Sequence, residues 1–137
     1  MHLLKISMKK INQEKLPGYY YCCTSYSSSF EIGFLGTFLE DFGNDWGLDF
    51  IKKILNDPSQ NGTCGNLSNV DILDNGKIAL SHLYMDENDT LHLEIDANVL
   101  LKITQMYIEA REAPLLPKEI IIKLDNSMLI PTVESVY

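Results

Sequence analysis

His82 and His92 come nearest, by type and spacing, to residues that could do chemistry in this chain. They flank the acidic run Asp86-Glu87-Asn88-Asp89. If that run turns one antiparallel strand into the next, the two imidazoles approach each other. Imidazole with carboxylate is a ligand set for zinc or manganese. The spacing makes no tight cage, however, and Leu91 stands where a calcium loop needs glycine. Two strand histidines on the surface are therefore the plainer reading, with a small metal-dependent enzyme as the alternative. Cys64 beside either histidine would make a thiolate pair, but nothing in the sequence brings them together. Asp71 and Asp74 have the chemistry of a glycosidase carboxylate pair. They flank a hairpin turn, where Asp is favoured for bonding to backbone. Gly33, Gly36, Gly43 and Gly47 follow no strand and lack a phosphate-loop lysine. No catalytic set, metal or cofactor is expected.

A second constellation suits binding better than chemistry. The run from Glu40 to Asp49 gathers acids around the only tryptophan of the chain, Trp46. An aromatic anchor ringed by charge is what protein interfaces use. Asp41, Asp45, Trp46 and Asp49 are one expected contact patch, and Asp86, Glu87 and Asp89 a second. The competing reading is that Trp46 packs the core beside Phe42 and Phe50.

Charge points the same way. The chain carries 19 Asp and Glu against 11 Lys and Arg, a net charge of -8 over 137 residues. Residues 1–18 are locally basic, through Lys5, Lys9, Lys10 and Lys15. Residues 19–51 hold Glu31, Glu40, Asp41, Asp45 and Asp49 and no base. Residues 54–101 hold acids opposed by Lys77 alone. A surface of one sign repels nucleic acid and anionic lipid and steers a basic protein toward it. The plain alternative is solubility.

Length and composition fit one globular domain, 1–137, with 45% hydrophobic and 22% charged residues. No apolar run approaches the roughly 20 residues of a membrane span. The first residues do not read as a signal peptide. The three cysteines are an odd count with Cys22 and Cys23 adjacent, so reduced thiols in a cytoplasmic protein are expected.

The elements that must position these residues follow from periodicity. His2–Met8 and Tyr19–Tyr26 read as strands, with a turn over Gln13–Gly18 closed by Pro17-Gly18. Gly33–Phe42 repeats apolar residues at helical spacing, although Gly36 weakens it. Asp45–Asn56 is a second helix, and Asp57–Gly65 a loop. Leu67–Leu73 and Lys77–Tyr84 form a hairpin across Asn75-Gly76, since Asn-Gly tolerates positive φ. Met85–Asp89 is an acidic turn into the alternating strand Thr90–Ile95. Asp96 caps a helix over Ala97–Glu112 with a broad apolar face. Glu119–Leu124 is a strand. Met128–Thr132 is another, which Pro131 confines to an edge or an end. The expected fold is α+β: a mainly antiparallel sheet of about six strands against two or three helices.

Leu93-Glu94-Ile95-Asp96, the helix Asn98–Glu109, Pro117-Lys118-Glu119-Ile120-Ile121-Ile122 and the Asp125-Asn126 turn carry a resemblance. Together they resemble the C-terminal part of small bacterial immunity proteins of contact-dependent growth inhibition and related polymorphic toxin systems. The likeness covers roughly a third of the chain and lies in scaffold rather than site. It implies a cytosolic protein that is not an enzyme and that binds and blocks a toxin, often a basic nuclease. The alternatives are the metal-dependent enzyme above and an acidic adaptor or nucleic-acid mimic.

Overall fold

The computed structural model describes residues 1–10, 20–57, 63–64, 67–83 and 90–137. They form an α+β fold of two antiparallel sheets and three helices, so the strands divide into two sheets where the sequence suggested one. The expected turns at Gln13–Gly18 and Met85–Asp89 lie outside the described residues.

The first sheet has the order β2-β1-β7-β8, with β1 His2–Lys10, β2 Tyr20–Ser27, β7 Glu119–Leu124 and β8 Pro131–Val136. Its two central strands come from opposite ends of the chain. Leu4 lies opposite Ile122 and Ile6 opposite Ile120, and all four are buried on one face. Alternation sends Lys5, Ile121 and Glu134 to the other face, in one cross-strand row. β8 is the edge strand that Pro131 suggested, but it starts at Pro131 rather than spanning Met128–Thr132. Pro131 sits opposite Leu124 in an edge strand, the position where a residue without an N–H is tolerated.

The second sheet has the order β3-β4-β5-β6, with β3 Thr63–Cys64, β4 Ser68–Ile72, β5 Lys77–His82 and β6 Leu93–Asp96. β3 is a two-residue strand within the span expected to be loop. Gly76, at φ 78°, makes the expected hairpin turn between β4 and β5.

Between the sheets runs α1, Phe30–Phe42, which touches β1 and β2 on one side and β4, β5 and β6 on the other. Seven of its residues are buried, from Ile32 to Phe42, because it has core on two sides. Gly36 explains itself here. A Cβ at that position would overlap Thr24 Oγ1 of β2 and stand 3.2 Å from a Leu4 methyl. The glycine lets the helix approach the sheet closely. α2 covers Asp45–Asn56, and α3 covers Ala97–Arg111 behind the expected Asp96 cap, whose carboxylate accepts from Asn98 N and Val99 N. α3 packs on β7, β8, β6 and α2, and it buries Leu100, Ile103 and Tyr107 completely.

Candidate interaction site

The turn between α1 and α2 builds the site. α1 stops at Gly43, and Asn44 caps α2 by accepting from Gly47 N at 2.8 Å. A cap so close to the end of α1 fixes where the first turns of α2 point. Asp45, Trp46 and Asp49 all emerge exposed. Trp46 is 63% accessible. Its ring stacks on Phe42 at 5.7 Å and on Phe50 at 5.6 Å, nearly parallel to both. Phe42 is fully buried, so the stack runs from the core outward and ends in an open indole face. Trp46 therefore both touches Phe42 and Phe50, as the core reading required, and stands at the surface.

A groove of about 400 Å³ opens beside it, lined by Trp46, Asp49, Phe50, Lys52, Lys53 and Asn56. One acid and two lysines line it, so the α2 face carries both signs.

Asp41 is used differently. Its Oδ2 accepts from Leu67 N at 2.8 Å and from Ser68 N at 2.9 Å. It ties the last turn of α1 to the start of β4, so its carboxylate serves the fold. Asp86, Glu87 and Asp89 lie outside the described residues.

The two histidines do not converge. Leu80 and Leu93 are partners in the β5–β6 ladder and share the core face. His82 follows Leu80 by two residues and keeps that face; His92 precedes Leu93 by one and takes the opposite face. His82 lies near Glu40 of α1, and the two line a common pocket. The exposed His92 ring meets Thr90 O at 2.8 Å through Nδ1 and Glu94 Oε1 at 3.1 Å through Nε2. That carbonyl, and then the carboxylate, raise the pKa of His92 above its ordinary 6.5. Among the described residues no three His, Cys, Asp or Glu side chains gather where they could hold a metal ion. Asp71 and Asp74 are exposed beside the hairpin turn. Cys22 and Cys23 are free thiols, half-buried in β2.

A second concavity left no sign in the sequence, because its walls come from distant segments. Cys23, Thr24 and Ser27 of β2, Phe30, Gly33, Phe34, Thr37 and Glu40 of α1, and His82 of β5 enclose about 320 Å³. Glu40 is half-buried, and Thr24 N donates to its Oε1 at 3.4 Å. Burial is the main reason its pKa is raised, and the neighbouring Asp41 adds to the effect.

No helix among the described residues is long and apolar enough to cross a membrane. No protein-family model, curated protein or solved structure matches the chain.

Proposed function

We propose that this protein binds and blocks a basic protein partner, of which the toxin domain of a nuclease is the best candidate, through the face built on Asp45, Trp46 and Asp49. One observation carries the proposal: Trp46 holds an indole face open to solvent on a stack anchored in the core, with two exposed carboxylates on the same helix. A rigid, pre-stacked aromatic loses little entropy on binding, which is what makes such residues anchors. The net charge of -8 supports a basic partner, and the likeness of residues 93–126 to immunity proteins supports a toxin. Lys52 and Lys53 at the groove call for acceptors on the partner as well as cations. Asp86, Glu87 and Asp89 are proposed as a further contact. Blocking would follow from occupying a cationic substrate groove, with carboxylates standing where phosphates would sit.

If the reading frame immediately upstream encodes a secreted toxin, the test is co-expression with that toxin's C-terminal domain. That domain alone should arrest growth, and the wild-type protein should restore it. The double variant Asp45→Lys with Asp49→Lys should restore it poorly at equal protein level. Growth arrest that wild type does not relieve, or full protection by the double variant, contradicts the proposal.

A further inference from the structure

The pocket between β2 and α1 has a chemistry of its own, separate from the Trp46 face. Glu40 is a half-buried carboxylate, and among the described residues its one hydrogen bond is the 3.4 Å contact from Thr24 N. An ionised carboxylate can accept about four hydrogen bonds, so most of its capacity faces the pocket unused. The ion pairs among the described residues, His92–Glu94 and Lys123–Glu134, lie elsewhere. Burial raises the Glu40 pKa and outweighs the lowering by Thr24 N and by His82 of β5, which lines the same pocket, so the carboxylate is left short of counter-charge.

The other walls fit the same ligand. Thr37 Oγ1 donates to Gly33 O at 3.3 Å, which leaves its lone pairs as acceptors. Phe30 is 66% accessible at the mouth, held edge-on against the buried Phe34 at 5.3 Å between ring centres. An exposed phenyl face attracts a cation and covers an apolar stem. The volume is at the low end of the roughly 300–1,000 Å³ of ligand pockets, so it suits a single side-chain-sized group. A carboxylate at one end, an acceptor hydroxyl on the wall and an aromatic at the mouth favour a multi-donor cation, with His82 on the remaining wall.

We propose that this pocket binds a guanidinium or alkylammonium group on an apolar stem, with Glu40 as its counter-charge and Phe30 as its aromatic wall. The group would come either from an arginine or lysine side chain of another protein or from a free small cation. The site does not depend on the interface proposed above.

The test is titration of the ¹⁵N-labelled protein. Three probes are used: agmatine, N-acetyl-arginine methylamide and its neutral citrulline counterpart. The two cations should give saturable shifts centred on the amides of Thr24, Gly33 and Thr37, and the citrulline compound should not. Glu40→Gln should weaken binding about tenfold or more, as loss of a charged hydrogen-bond partner does. Phe30→Ala, at an exposed position, should weaken it by about threefold. Asp45→Lys with Asp49→Lys should leave binding unchanged, which separates this site from the α2 face. Tighter binding of the arginine amide points to a protein side chain, and tighter binding of agmatine to a free cation; either supports the site. Absence of saturable binding, equal binding of citrulline, or unchanged affinity in both Glu40→Gln and Phe30→Ala overturns the proposal.

Discussion

Acidic side chains a few residues apart do different work in this protein, and local sequence does not separate them. Asp41 accepts two backbone amides from the start of β4, whereas Asp45 and Asp49 stand free of the fold on α2. Asp41→Ala should therefore lower unfolding stability by about 1.5–3 kcal/mol, because two amides lose a charged acceptor. Asp45→Ala should change it by less than about 0.5 kcal/mol. Urea denaturation of both variants checks the pair. Asp41 was legible as an acid beside Trp46, but its partners lie 26 and 27 residues away, and nothing local announces them. At His92 the prediction concerns pH. Its folded-state pKa is raised by the Thr90 carbonyl and then by Glu94. A raised imidazole pKa adds stability that is fully present below the ordinary value and is lost as pH rises through the folded value. The ring is exposed, so the effect on stability is small, but its NMR titration midpoint should lie above 6.5 and fall in Glu94→Gln. A midpoint unmoved by Glu94→Gln would contradict the pairing.

At the scale of elements, close approach outweighs propensity. Gly36→Ala should gain about 1 kcal/mol of helix propensity in isolation. In the folded protein the new methyl overlaps Thr24 Oγ1 and crowds Leu4, so the variant should be less stable than wild type. Thr24→Ala in the same chain should recover part of the loss, since Thr24 Oγ1 is buried without a hydrogen bond among the described residues. Thermal melts of the two single variants and the double decide it, and additive losses would sink the account. The same contrast shows what the sequence could and could not tell. Asn75-Gly76, the Asp96 cap and the apolar strand Glu119–Leu124 were legible because turn chemistry, capping and a short apolar run are local signals. The split into two sheets was not. It depends on β1 pairing with β7 across most of the chain and on α1 separating the sheets. Pro131 marked an edge strand correctly, but the bounds Met128–Thr132 were missed, because proline can also begin an edge strand and only its pairing with Leu124 fixes where β8 starts. The opposed faces of His82 and His92 follow from the β5–β6 register, which the sequence leaves open.

For the whole molecule the question is what a net charge of -8 and an open Trp46 are for. If both belong to an interface, they should separate kinetically. Charge acts during approach and is screened over roughly 8–10 Å near physiological salt. A buried anchor acts after contact and governs release. The direct measurement is stopped-flow association and dissociation, over a range of salt, with the toxin domain that the co-expression test identifies as the partner. Wild type, Trp46→Ala and the Asp45→Lys, Asp49→Lys double variant would be compared. The account predicts that association slows with salt and in the charge-reversed variant. It also predicts that Trp46→Ala mainly speeds dissociation, at a cost in affinity of about 2 kcal/mol or more. Rates that ignore salt, charge reversal and loss of the indole alike would contradict the interface and leave the acidic surplus as a solubility feature.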